Sequence, residues 1–136
     1  MDAHNWRIVS ATLLFLGLCG STKSAPGALT VKAIAAGGDR SLALTSDGTV
    51  WEWGAKRAAP VQVAGLSGVV GIAAGHQHSL AVKGDGTVWA WGSNAYAELG
   101  DGTTTARSTP VQVSGLSGVV GVAAGWAYSL AVKSDG

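Results

Sequence analysis

His76 and His78 stand two residues apart, a spacing that points both imidazoles the same way from a strand and that metal sites use. Ser79 follows His78 directly, and Glu98 and Asp101 share one polar stretch. Trp51/Trp53 and Trp89/Trp91 are paired at the same two-residue spacing, hence on one side of a strand. A row of indoles there either stacks on sugars or fills the space between packed sheets. Each constellation falls short of a reactive site. No carboxylate or third ligand recurs beside the histidines, whose counterparts elsewhere in the chain are Gly38 and Arg40, then Trp126 and Tyr128. Ser79 recurs as Ser41 and Ser129, after Arg40 and Tyr128, so its hydroxyl reads as a backbone-bonding group rather than a nucleophile. Glu98 and Asp101 read as turn and solvation residues, because acid–base catalysis needs two carboxyls held at a fixed spacing. The Trp pairs read as packing, with Glu52 and Ala90 facing the other way and Glu52 marking a partly wet side. No Gly-rich loop opens a helix, so a phosphate cradle is absent. Recognition remains: no catalytic residue, cofactor or metal ligand is expected.

The elements that position these residues follow from composition and repetition. The chain has 136 residues, 9 Lys+Arg against 8 Asp+Glu, and 12% charged residues. A near-neutral balance with no basic cluster argues against nucleic-acid binding. Hydrophobic content of 47% with so little charge excludes a disordered, self-repelling chain. One Cys excludes an internal disulfide framework, and 21 Gly with 3 Pro point to many tight turns between short strands. The length suits about one small domain.

Residues 1–28 differ from the rest. Arg7 precedes an apolar run from Ile8 to Cys19, and small residues follow. Twelve residues at about 1.5 Å each fall short of a bilayer core of roughly 30 Å. The order fits a secretory signal peptide and short linker, with cleavage after Ser21. The expected location is secreted, cell-surface or periplasmic. Two other readings are a lipoprotein signal, in which Cys19 is acylated and the chain meets a membrane, and a buried N-terminal element.

Pro60–Gly86 and Pro110–Gly136 are identical at 21 of 27 positions, at an offset of 50. Val31–Gly54 matches Val69–Gly92 at 15 of 24, at an offset of 38. The twelve-residue difference falls between Gly92 and Pro110, so a surface loop lies there. Each unit reads as four short strands: Val69–Gly75, Ser79–Lys83, Thr87–Trp91 and Val111–Val113, with Asp85-Gly86 turning the central hairpin. Four antiparallel strands per unit of about 50 residues is the arithmetic of a propeller blade. The units are 29–65, 66–115 and a shortened 116–136.

The run AAG-xxx-SLAVKxDGTVWAWGSN, then LGDGTTT and PVQVSGL, resembles the regulator-of-chromosome-condensation (RCC1) repeat over residues 29–136. Ala97-Glu98 stands where the family usually shows Gly-Gln, and the first copy lacks most of the loop before its fourth strand. The resemblance implies an all-β fold, a partial propeller of about two and a half blades out of seven. The expectation is therefore a fragment, stable beside the remaining blades of the same propeller, whose open strand edges template pairing with another chain.

Turns after strands one and three emerge on one face of such a disc, and turns after two and four on the other. The second face hardly changes between copies. The first carries the consecutive differences His76-Gln77-His78 against Trp126-Ala127-Tyr128, with Gly38-Asp39-Arg40 in the first copy. Asp39, Arg40, His76, Gln77, His78, Tyr96, Trp126 and Tyr128 are accordingly the expected partner-binding residues, being of the aromatic and charged types that anchor interfaces. In the family this kind of surface engages protein partners. The resulting expectation is a non-catalytic, exported module that binds a protein. Alternatives are a secreted β-lactamase-inhibitor-like propeller, a guanine-nucleotide exchange regulator of a small GTPase, and a carbohydrate-binding propeller. An export signal weighs against meeting a nuclear GTPase, and a sugar site needs exposed Trp rows.

Overall fold

A computed structural model describes residues 29–54 and 57–136. The signal peptide, its lipidated alternative at Cys19 and the linker lie outside the described residues. Ten strands form three antiparallel sheets. The first holds β1 (Val31–Ala36), β2 (Arg40–Thr45), β3 (Val50–Gly54) and β4 (Arg57–Gln62), in that order. The second repeats it with β5 (Val69–Ala74), β6 (His78–Lys83), β7 (Val88–Gly92) and β8 (Arg107–Gln112). The third pairs β9 (Val119–Ala124) with β10 (Ser129–Lys133). Each four-stranded sheet is one blade of a propeller and the two-stranded sheet is the first half of another, and among the described residues no helix is present.

The register explains why these residues suit these places. Within β6, His78, Leu80 and Val82 share one side, and Ser79 and Ala81 the other. Both sides are dry, because a neighbouring blade covers each. Inner strands β1, β5 and β9 are built mostly from Ala, Val, Gly and Ile, and the middle of β5 is crowded: a Cβ on Gly71 would lie 2.8 Å from Val82. Two apolar seams hold the blades together. Leu42, Leu44, Val50 and Val63 of the first blade pack on Leu66, Val69, Ala81 and Trp91 of the second. Leu80, Val82, Val88, Leu99 and Val113 of the second pack on Val119 of the third. A buried Trp removes about 150–250 Å² from water, worth about 4–6 kcal/mol before entropy is counted. That makes the Trp91 indole the largest apolar contribution to the first seam.

The opposite edge is held by the repeated turns. Gly48 and Gly86 both sit at φ 79°, a left-handed backbone that glycine adopts freely. The Asp47 carboxylate accepts the Thr49 N–H (3.1 Å) and the Thr45 hydroxyl (2.7 Å). Asp85 accepts the Thr87 N–H (2.9 Å) and hydroxyl (2.6 Å). Each turn then reaches the next blade: the Val69 N–H donates to the Gly48 carbonyl and the Val119 N–H to that of Gly86, both at 3.1 Å. These turns are therefore interface parts, which is the physical basis of their sameness.

The fourth strand begins four residues earlier than the sequence implied. β8 runs through Pro110, which has no N–H to give a ladder, because β8 is the edge strand of its sheet, where a missing N–H leaves no partner short. A second difference concerns Glu52. Its side of β3 is dry: the residue is buried between the first two blades.

Candidate functional site

Three turns and one long loop make the variable face. The turns follow β1, β5 and β9, each closed by a 2.9 Å bond from glycine N–H to the carbonyl three residues on: Gly37 to Arg40, Gly75 to His78, Gly125 to Tyr128. Adjacent turns are stitched together, His76 N–H to Gly125 carbonyl at 3.1 Å and Gly38 N–H to Gly75 carbonyl at 3.3 Å. The side chains above this backbone are consequently held at fixed separations. His76 and Trp126, from neighbouring blades, stack with ring centroids 3.9 Å apart and planes 13° apart. Trp126 nevertheless remains 69% exposed. Offset aromatic pairs contribute about 0.5–1.5 kcal/mol beyond area burial.

The loop from Ser93 to Ala106 is rigidly built. Asn94 is fully buried, and its amide nitrogen donates to Asp101 Oδ1 (3.1 Å) and to the carbonyls of Thr103 (2.9 Å) and Thr105 (3.2 Å). Its amide oxygen accepts the Leu99 N–H (3.0 Å), and Leu99 plugs into the second seam. Asp101 also binds Arg107 Nε at 2.7 Å. Hydrogen bonds from the Thr103 hydroxyl, Arg107, Thr103 N–H and Asn94 hold the Asp101 carboxyl far below the usual carboxylate range against a modest opposing effect of burial. Burial opposes ionisation of Glu98, but its own backbone, the Tyr96 N–H and Ser93 outweigh it and keep that carboxyl low too. Both acids thus stay ionised at neutral pH as structural acceptors. Ala97 takes a left-handed φ of 61°. The turn survives without the family's glycine, at the roughly 1–2 kcal/mol that a Cβ brings there. This scaffold leaves Tyr96 75% exposed on the face.

Asp39 and Gln77 are exposed on the same face. Arg40 and His78 are not, which corrects the expectation that they anchor a partner. Each is the first residue of a second strand, in phase with Leu42 or Leu80, so it turns into the seam. The Arg40 side chain is 9% exposed, and its Nη1 donates to Glu52 (3.2 Å) and to the Ser79 hydroxyl (3.2 Å). His78 is 0% exposed. Ser129 donates its only hydroxyl proton to the Glu98 carbonyl (2.6 Å), so His78 Nε2 donates to Ser129 Oγ (3.0 Å). Arg40 and His78 therefore do one job at successive seams, each reaching the serine of the following blade. Tyr128 has the same phase in the third blade, beside Leu130 and Val132, and is 59% exposed. Ser129 bonds backbone as expected, whereas Ser79 bonds side chains.

Glu52 is the residue that sequence reasoning missed. It accepts from Arg40, from Arg57 Nη1 (2.7 Å), from the Ser79 hydroxyl (3.4 Å) and from Trp91 Nε1–H (3.1 Å). Trp91 is buried and so engaged, and Trp89 lies half-buried under Lys83, whose Nζ is 5.1 Å from the ring centroid. The second blade thus presents no open Trp row for a sugar. Among the described residues no group of three or more His, Cys, Asp or Glu is placed to hold a metal ion.

The seam makes His78 a pH sensor of stability. Burial lowers its imidazole pKa below the ordinary value; Arg40 adds to this, while Glu98 and the Tyr128 backbone oppose. A lowered folded pKa means that the unfolded chain binds the proton more readily. Stability is therefore full above about pH 6.5 and declines as pH falls below it, at no more than about 1.4 kcal/mol per pH unit. Urea melts between pH 7.5 and 5 are expected to show this decline, and His78→Asn to flatten it. An equal decline in His78→Asn rejects the assignment.

Two family models match the chain. Both are described as the Regulator of chromosome condensation (RCC1) repeat, one over residues 85–132 and the other over 31–55 and 69–98. Among solved structures, Prp20p from Saccharomyces cerevisiae, described with its binding to Gsp1p and histones, superposes with a TM-score of 0.69 at 20% identity. That match covers 79% of this chain and 32% of Prp20p. Human WBSCR16 gives 0.69 at 26% identity, over 77% of this chain and 32% of its own. Yeast RCC1 (Prp20) bound to Kap60 gives 0.67 at 22% identity, over 81% and 32%. The chain thus spans about a third of the length of these structures. No curated protein sequence matches it closely.

Proposed function

The chain belongs to the RCC1-repeat family, and from that membership we propose a non-catalytic, exported module that binds a protein partner through the loop face of its blades. One observation carries the reading: the His76–Trp126 stack bridges two blades yet leaves the indole open to solvent. An aromatic held rigid on a stitched backbone loses little entropy when a partner covers it, which is what makes Trp and Tyr interface anchors. Tyr96, Asp39 and Gln77 extend the patch around it. Arg40 and His78 support it from beneath. The partners named for Prp20p are themselves proteins, which favours a protein over a small ligand. Export rests on residues 1–28 alone.

Capture of partners from the extracellular fraction with the full chain tests the face. Trp126→Ala together with His76→Ala is expected to reduce recovery about tenfold, as loss of a central aromatic anchor does. Melting of the variant should stay within about 1 kcal/mol, since only an exposed stack is lost. Undiminished recovery removes the stack from the site.

A further inference from the structure

Where the first two blades meet on the loop face, an open hollow of about 390 Å³ is lined by Asp39, Arg40, Gln77, Gly92, Ser93 and Arg107. The Arg40 side chain that lines it is more than nine-tenths buried, and its Nη1 is spent on Glu52 and Ser79. The Arg40 Nε–H is buried and has no hydrogen-bond partner among the described residues. Asp39 Oδ1 stands 3.6 Å from that nitrogen, beyond hydrogen-bond range. A buried charged donor left unmet is costly, so an acceptor entering the hollow gains what folding left unused. Arg107 comes from the second blade. Its Nε is held by Asp101 (2.7 Å) and its Nη2 by the Thr103 hydroxyl (3.4 Å), and its Nη1 makes no bond among the described residues. Gly92 lets the two blades close up here: a Cβ on it would stand 2.9 Å from Arg40 Nη1 and run into the Gln77 carbonyl.

We propose that the hollow receives one carboxylate side chain, Asp or Glu, from a loop of the protein partner. The inference rests on the loop face being the binding face and adds the chemistry of what it binds. The incoming carboxylate takes the place of Asp39, accepts the Arg40 Nε–H and meets the open end of Arg107, both charge-assisted bonds. Asp39 can give way, because its side chain is 44% exposed. The charge balance fits a monoanion. Arg40 and Arg57 both pair with Glu52, which leaves one surplus positive charge, while Arg107 and Asp101 cancel. Three carboxylates so close disfavour a phosphate dianion. The repeat itself does not build this site: at the second seam His78 replaces Arg40 and is bonded to Ser129, and Ala127 replaces Gln77. Because Arg40 and Arg107 belong to different blades, the bound carboxylate also ties the first seam.

The probe is the capped peptide acetyl-Gly-Glu-Gly-amide, titrated into the isotope-labelled full chain while the guanidinium Nε–H signals are followed by NMR. A saturable shift of the Arg40 Nε–H, with slower exchange against water, is expected. The same peptide with Gln in place of Glu should bind about tenfold more weakly, and so should the Glu peptide to Arg107→Gln. Asp39→Asn removes the competing carboxylate and should strengthen binding about threefold. This arm stands even where Arg107→Gln disturbs the loop. The proposal is overturned by the absence of a saturable shift, by equal binding of the Gln peptide, or by unchanged or weaker binding in Asp39→Asn. Weaker binding with a lowered urea midpoint would make Asp39 the permanent partner of Arg40. Peptide binding reads the hollow and capture with the stack variant reads the face, so either can fail alone.

Discussion

Replacing Glu52 with Ala should destabilise the folded chain by about 3–5 kcal/mol, the usual loss when one member of a buried charge pair is removed. The carboxylate lies between two blades and collects four donors, two of them from the second blade. Without it, the Arg40 guanidinium keeps its charge in a nearly dry place, and the Trp91 N–H loses its acceptor. Arg57 matters less, since its side chain is 44% exposed and can turn to water. The second seam shows how the loss can be reduced. It carries His78 and Ala90 where the first has Arg40 and Glu52, and it needs no carboxylate because its imidazole is neutral. Arg40→His combined with Glu52→Ala should therefore lose less than Glu52→Ala alone. Urea denaturation decides both points: a loss below about 1 kcal/mol in the single variant, or an equal loss in the double, contradicts the buried-charge account.

The blades were legible because the repeat is long and the one length change falls in a single loop. Near-identity over Pro60–Gly86 and Pro110–Gly136 can only mean one local structure built twice. Alternation within Ser-Leu-Ala-Val-Lys, and Asp-Gly before Thr-Val-Trp, then set the strands and their hairpin. The edge of the blade was less legible, since Pro110 is a breaker in a central strand and harmless in an outer one; which of the two it occupies depends on what lies beyond β8.

The site was half legible. Variation between copies pointed to the right turns but did not tell upward from inward. The missing signal was phase. His78 lies two before Leu80 and Arg40 two before Leu42, so both belong to the apolar side of their strands despite their polarity. Glu52 was misread for a related reason. A carboxylate among tryptophans looks wet on its own strand, and its donors Arg40, Ser79 and Trp91 are 12, 27 and 39 residues away, two of them on another blade. Only assembly brings them together.

Gly75→Ala should cost about 3 kcal/mol, the upper part of the range for forcing one methyl into a packed interior. The backbone there is ordinary, so conformational strain is not the cause. The new methyl would run into the His78 imidazole and would stand 2.7 Å from the Gly125 carbonyl oxygen. Neither neighbour is free to withdraw: the imidazole is tied to Ser129, and the carbonyl accepts the His76 N–H at 3.1 Å. Gly37 faces the Gly75 carbonyl in the same way, so the glycines of the first two Ala-Ala-Gly triplets mark where two blades approach backbone to backbone. Gly84→Ala is the contrasting change. Its methyl would meet Val70 at 3.5 Å and the Gly68 carbonyl oxygen at 3.8 Å, both ordinary contacts, in an exposed turn where the other copies carry Ser46 and Ser134. There the stiffer unfolded chain should give a gain of about 0.4–1 kcal/mol. Equal urea midpoints for the two variants would mean that the close approach at Gly75 does not hold the blades.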